Sequence, residues 1–182
     1  MNILILNGSP LGENSITLQT VLYLEALFPE HSYDLLHVGQ KIKAIERDFS
    51  NARDLLEKAD LILFCYPVYT FLVPSQLHRF IELVKEQRVD LRGKYAAQIS
   101  TSKHFYDTTA HEFIRENCAD LHLKVLRGLS ADMEDLLKEK GQKEARDFFR
   151  HVLWAVQHDL AEACPVPAAG AEALCPRSEG VV

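Results

Sequence analysis

A chain of 182 residues, 47% hydrophobic and 25% charged, is long enough to bury one sizeable core and has the composition of an ordinary folded domain. Its formal net charge of −6 argues against a nucleic-acid-binding surface, and no long Lys/Arg run reverses that reading. No apolar stretch approaches the ~18 residues of a membrane span, and Met1-Asn2 leads straight into a strand without a basic signal segment, so a cytoplasmic place and no membrane partner are expected.

The first predicted element is a strand over residues 2–6, with the unbroken apolar run Ile3-Leu4-Ile5-Leu6. It empties into Asn7-Gly8-Ser9-Pro10-Leu11-Gly12-Glu13-Asn14-Ser15-Ile16-Thr17, a loop of two glycines, hydroxyls and an amide that runs into an amphipathic helix. Glycines let a backbone approach a ligand closely, N–H groups and hydroxyls donate hydrogen bonds, and a helix N-terminus favours negative charge. The segment therefore suits a phosphate. It has neither the Lys of a P-loop nor the glycine spacing of a dinucleotide fingerprint. A plain strand-to-helix turn capped by Asn14 or Ser15 is the other reading.

The helix is predicted over 15–28, with Leu18, Val21 and Leu22 on one face and Pro29 closing it. A second strand follows over 33–38, ended by Gly39, then a helix over 48–58 capped by Asp48 or Ser50. Asp60-Leu61-Ile62-Leu63-Phe64-Cys65 reads as a central parallel strand, and 75–86 as a helix with the core stripe Leu77, Phe80, Ile81 and Val84. A fourth strand covers 94–101. Thr109-Ala110-His111-Glu112 reads as a capping box opening a helix through Phe113, Ile114 and Cys118. A fifth strand is expected over 123–129, a short helix from Met133 to Lys140 ended by Gly141, and a last helix to about Ala163 with the stripe Phe149, Val152, Leu153, Val156 and Leu160.

Strands alternating with helices predict a three-layer α/β/α sandwich around a five-stranded parallel sheet of order 2-1-3-4-5, with a ligand crevice at the carboxyl ends of strands one and three. Residues 1–163 form the domain. Residues 164–182, rich in Ala, Pro and Gly, are expected to be a poorly ordered tail. Cys65 and Cys118 read as core residues. Cys164 and Cys175, each before a proline, match neither a zinc site nor an iron–sulfur spacing, so no metal site is expected.

Two further loops leave the same end of that sheet. Six of the eleven residues 66–76 are Tyr, Phe, Leu or Val, and Pro67 and Pro74 stiffen the segment. It suits either a platform for a flat, partly apolar ligand or a contact surface. The third loop, Ile99-Ser100-Thr101-Ser102-Lys103-His104-Phe105-Tyr106-Asp107, again presents hydroxyls with aromatics. No acid–base dyad is legible, and the eight histidines are scattered, so no catalytic side chain is expected.

Leu6-Asn7-Gly8-Ser9-Pro10 with Asn14-Ser15-Ile16-Thr17, then Pro67-Val68-Tyr69 and Pro74-Ser75-Gln76-Leu77-His78-Arg79-Phe80-Ile81, resembles the flavodoxin-like NAD(P)H-dependent FMN reductases over roughly residues 1–160. His104-Phe105-Tyr106-Asp107, Thr109-Ala110-His111 and Ser130-Ala131-Asp132-Met133 resemble the branch with iron–sulfur flavoproteins and flavodoxin domains joined to ferredoxin modules. The resemblance implies that Ser9, Asn14, Ser15, Ile16 and Thr17 bind the FMN phosphate. It implies that Pro67, Val68, Tyr69, Thr70 and Phe71 line the isoalloxazine ring, with Thr101, Ser102 and Tyr106 closing its other side. Leu11 stands where the family often has Arg or Lys, and Phe71 and Leu72 stand where it commonly has glycines.

The activity so implied passes a hydride from NAD(P)H to flavin and on to a small-molecule or protein electron acceptor, a ferredoxin-type partner among them. A homodimer with the flavin near its interface is also implied. The alternatives are a flavodoxin-like electron carrier reduced by a protein partner, and a domain of the same fold that holds no flavin.

Overall fold

The structure, a computed structural model, describes residues 1–103 and 107–162. The expectations for Tyr106 and for the 164–182 tail lie outside the described residues. β1 (Asn2–Asn7), β2 (Ser32–Leu36), β3 (Leu61–Pro67) and β4 (Tyr95–Ser102) form a parallel sheet in the order β2-β1-β3-β4, and the next position beside β4 completes the expected winding. That lane is filled by two short strands, β5 (Lys124–Val125) and β6 (Leu129–Asp132), both parallel to β4, instead of one strand over 123–129. The interruption contains Gly128, where an added Cβ would stand 2.6 Å from Gln98 Cγ and 2.8 Å from the His111 ring.

Alternation along the strands divides the core between two faces. Leu4, Leu6, Ile62 and Phe64 pack under α2 (Val38–Arg47), α3 (Ser50–Lys58), α4 (Ser75–Glu86) and α5 (Thr108–Asp120). Ile3, Ile5, Leu61 and Leu63 pack under α1 (Ile16–Leu27) and α6 (Glu139–Gln157). On that second face Phe149 is fully buried and meets Phe28 edge-to-face at 5.2 Å. Burying such a ring contributes about 2–3 kcal/mol before its entropy cost.

Helix α2 was not expected from the sequence, which made Gly39 the end of a strand through Val38. Val38, Ile42 and Ile45 in fact follow helical spacing, i, i+4 and i+7, and turn toward the core. Gly39 lies in the helix's first turn because the loop after β1 runs against it: a Cβ there would stand 2.2 Å from the Ser9 carbonyl oxygen. The outer side of α2 is tied to α4 by Arg79, which reaches Glu46 at 2.8 Å and also pairs with Glu82 and Glu86.

Other boundaries also differ. The helix expected from Met133 is a single 3₁₀ turn, Asp135–Leu137, and Gly141 sits inside α6, where a Cβ would meet the Asp135 carbonyl oxygen at 2.2 Å. Because α6 stops at Gln157, Leu160 falls past its end and is exposed. Leu22 is likewise exposed; the buried face of α1 is Thr17, Leu18, Thr20, Val21 and Leu24. Asp48 does not cap α3 directly but accepts from Ser50 N at 3.0 Å and from the Ser50 hydroxyl at 2.6 Å. No capping box forms at Thr109, which lies inside α5: the helix starts at Thr108, with Asp107 at its N-cap.

Candidate functional site

The carboxyl ends of β1, β3 and β4 are in register, Asn7 beside Cys65 and Pro67 beside Thr101, so their loops leave one edge of the sheet together. Hydrogen bonds join them there. Gly8 N donates to the Cys65 carbonyl at 2.8 Å, tying the first loop to β3. Val68 N donates to the Thr101 carbonyl at 3.0 Å, tying the second loop to β4. The Thr17 and Thr101 hydroxyls meet at 2.5 Å, tying the start of α1 to β4.

The first loop folds on itself. Buried Asn7 accepts from Ser9 N at 3.0 Å and donates to the Gly12 carbonyl at 2.9 Å. Gly12 takes φ +58, a conformation that glycine adopts without strain, and a 3₁₀ turn Gly12–Asn14 leads into Ser15, the N-cap of α1. The Ser9 hydroxyl accepts from Leu11 N at 3.2 Å and the Ser15 hydroxyl from Leu18 N at 3.4 Å. Each serves as an acceptor, so each keeps its own O–H hydrogen to donate. Asn14 and Ile16 are exposed, whereas Ser9, Ser15 and Thr17 are buried. Leu11, 58% exposed, carries no charge, so the loop itself offers an anion the α1 N-terminus, amides and hydroxyls.

The second loop closes as a two-residue turn. Tyr69 N and Leu72 N each donate to the other's carbonyl at 3.0 Å, with Thr70 at φ 49 and Phe71 at φ 69. Positive φ at both central residues is the conformation for which Asn-Gly is preferred, so a β-branched Thr and a Phe are held there under strain. Pro67 and Val68 are half-buried, while Tyr69, Thr70, Phe71 and Leu72 project from the sheet edge. With the Val68, Tyr69 and Leu72 amides engaged, the Thr70 N–H remains available to a ligand.

Behind the third loop lies a polar network that the sequence did not reveal. The Ser100 hydroxyl donates to Asp107 Oδ2 at 2.8 Å and lies 2.8 Å from His111 Nε2, while the Tyr66 hydroxyl donates to Gln98 Oε1 at 2.6 Å. Gln98 Nε2 in turn donates to the His111 carbonyl at 3.1 Å, pinning the first turn of α5 to β4. Burial works to raise the Asp107 carboxyl, but the hydroxyls of Ser130 and Ser100 and the pull of His111 outweigh it and hold it below its ordinary value. The buried Ser130 Oγ contributes only by proximity, since its geometry makes no hydrogen bond. Burial depresses His111 against the opposing charge of Asp107, and burial pushes the Tyr66 phenol far up. Ser100 is fully buried and Asp107 nearly so, so their contact is a structural clamp, while His111 keeps one edge toward the surface. Two polar residues inside apolar strands, Gln98 and Ser100, were the available signal.

Thr101 and Ser102 are both buried at the end of β4, and Thr101 bonds both to the first turn of α1 and to the second loop. The residues present fit an FMN. A helix N-terminus with two unspent hydroxyls suits its phosphate, and an apolar turn beside buried hydroxyls suits its ring.

Comparison with known proteins agrees with this geometry. The family model for NADPH-dependent FMN reductase matches residues 1–133. No curated protein sequence matches the chain. Among solved structures, an NADH:FMN oxidoreductase (EMOB, apo form) is 18% identical with a TM-score of 0.70, covering 93% of this chain and 99% of its own. The flavoenzyme NAD(P)H:(acceptor) oxidoreductase FerB from Paracoccus denitrificans is 18% identical with a TM-score of 0.65, covering 86% and 95%. A flavodoxin from the domain Archaea is 13% identical with a TM-score of 0.63, covering 87% and 100%. At such identities these structures establish the flavodoxin-like α/β sandwich, while the family match extends over most of the chain. The chain belongs to the NADPH-dependent FMN reductase family.

Proposed function

We propose that this chain binds FMN at the joined loops, takes reducing equivalents from NAD(P)H and delivers them to a small-molecule or protein electron acceptor. The observation that carries this reading is Thr101, whose hydroxyl holds α1 and whose carbonyl holds the 67–72 loop. One residue thereby fixes the phosphate side and the ring side of one crevice.

In this reading Ser9 and Ser15 donate their hydroxyl hydrogens to the phosphate, and Asn14 adds an amide donor at the mouth. Ile16 and Thr17 offer first-turn N–H groups, which have no carbonyl behind them in the helix. The Thr17 side chain, committed to Thr101, positions α1. Pro67, Val68, Tyr69, Thr70 and Phe71 form one wall for the ring, with the Thr70 N–H as donor to its polar edge. Thr101 and Ser102 form the opposite wall. Bound flavin supplies the hydride and electron chemistry, so the protein's task is to bind, orient and exclude water. A homodimer, a cytoplasmic location and a ferredoxin-type acceptor belong to the same proposal. The exposed Tyr69, Phe71 and Leu72 beside the crevice support a contact with another protein.

A second reading, a flavodoxin-like carrier reduced by a protein partner, is favoured by Phe71 and Leu72, which stand 49% and 50% exposed on the lip where nicotinamide would enter. Titrating the purified chain with FMN and recording flavin fluorescence tests the site. Binding that weakens at least tenfold in the Ser9→Ala/Ser15→Ala double variant supports it, on the scale of two lost charge-assisted hydrogen bonds. A chain that ignores FMN overturns both readings. Anaerobic addition of NADPH or NADH then separates them, because a carrier stays oxidised.

A further inference from the structure

Asn7 is fully buried beneath the 8–15 loop, and its side-chain orientation is dictated by its partners. Oδ1 faces the backbone N–H of Ser9 at 3.0 Å, and Nδ2 faces the carbonyl of Gly12 at 2.9 Å. Turning the amide over would set donor against donor and acceptor against acceptor, so Nδ2 is the donor end. That same nitrogen lies 3.2 Å from His37 Nδ1. With Nδ2 obliged to donate, this hydrogen bond forms only when His37 Nδ1 accepts, which requires the tautomer with its hydrogen on Nε2.

His37 is half-buried at the N-cap of α2, where its carbonyl accepts from Lys41 N at 2.9 Å. The next turn presses on the same loop, Gly39 against the Ser9 carbonyl and the Gln40 side chain against Gly12. A second proton on His37 would place an N–H against the Asn7 NH₂ and a positive charge at a helix N-terminus, two unfavourable changes. Asn7 would then have to turn away, releasing the bonds that hold Ser9 and Gly12. The charged groups on the surrounding elements are Glu13 in the loop, Asp34 on β2, which pairs with Lys58 at 2.8 Å, and Lys41, Lys43, Glu46 and Arg47 on α2, of which Glu46 is taken by Arg79 of α4; β1 carries none.

We infer that His37 is a positioning residue of the 8–15 loop, acting through Asn7, and that its protonation loosens the loop and weakens its hold on a phosphate. The phosphate part rests on the FMN reading proposed above; the coupling of His37 to Asn7 does not.

The test uses ¹⁵N-labelled, ligand-free protein titrated from about pH 8 to about pH 5, spanning the ordinary histidine range. In the wild type the Asn7 side-chain amide and the Ser9 and Gly12 backbone resonances move with the midpoint of His37. In His37→Gln, which can accept a hydrogen bond without titrating, that movement is absent. FMN affinity measured over the same range falls about tenfold further in the wild type than in His37→Gln, the scale of one lost buried hydrogen bond. Titration of the FMN phosphate itself is common to both proteins and cancels. Asn7 resonances that ignore the His37 titration, or that move equally in both proteins, overturn the coupling. Equal pH profiles for FMN overturn the effect on ligand. A chain that binds no FMN at pH 8 overturns the functional reading alone, since the amide titration still decides the coupling.

Discussion

Thr17, in the first turn of α1, and Thr101, near the end of β4, lie 84 residues apart in sequence, yet their hydroxyl oxygens meet at 2.5 Å in a buried contact. One hydroxyl gives its hydrogen to the other. Removing either alone leaves its partner buried without a bond, which costs about 1–3 kcal/mol, whereas removing both leaves two apolar groups of matching shape. Thr17→Val and Thr101→Val should each lower the urea midpoint, and the double variant should lose less than the sum of the two. Strict additivity in that cycle would show that the pair contributes no coupling.

Gly39→Ala gives a sign test. Inside an exposed helix the change stabilises by up to about 1 kcal/mol. Here the new Cβ falls 2.2 Å from the Ser9 carbonyl oxygen and 2.6 Å from that of Gly8, both backbone atoms. The loop or α2 must move, so the variant should be destabilised by about 1–3 kcal/mol and bind FMN less tightly. Thermal unfolding with and without FMN reads both effects.

Replacing Thr70-Phe71 by Asn-Gly supplies the residues that this turn conformation prefers. Thermal unfolding should show a gain of about 2 kcal/mol, since strain of about 1 kcal/mol or more is relieved at each of the two positions. The same change removes a bulky ring from the edge of the proposed site. Stopped-flow reduction by NAD(P)H should therefore become faster, and an unchanged rate would place the barrier elsewhere.

The clamp behind the third loop predicts a two-stage acid sensitivity. His111 is depressed by burial, so the unfolded chain takes up a proton first, and stability falls as pH drops below about 6.5. Asp107 is held below its ordinary value, so its contribution is present above about pH 4 and is lost as pH falls through its folded value. Denaturation midpoints against pH should show both stages. His111→Gln should remove the upper one and Asp107→Asn the lower.

Much of the architecture was legible because long apolar runs and helical stripes report burial directly. Ile3-Leu4-Ile5-Leu6 and Leu61-Ile62-Leu63-Phe64 are apolar at every position because each strand is covered on both faces. Helix α2 is not legible locally because Gly39 serves a close approach from a loop 30 residues away, which no local rule records. Gly141 misled for the same reason. In the broken fifth lane Gly128 lies against Gln98 and His111, a contact among separate elements that local sequence does not record.

By itself, then, the sequence determined the alternation of strands and helices, the winding of the sheet and the three loops that leave its carboxyl edge, because periodicity and loop composition are local properties. Tertiary structure alone decided how those loops are joined. It committed the Thr17 hydroxyl to Thr101, left the Ser9 and Ser15 hydrogens unspent, and set His37 against Asn7. Hydrogen-bond partners far apart in the chain are chosen by packing, and a motif names a donor without saying to whom it gives.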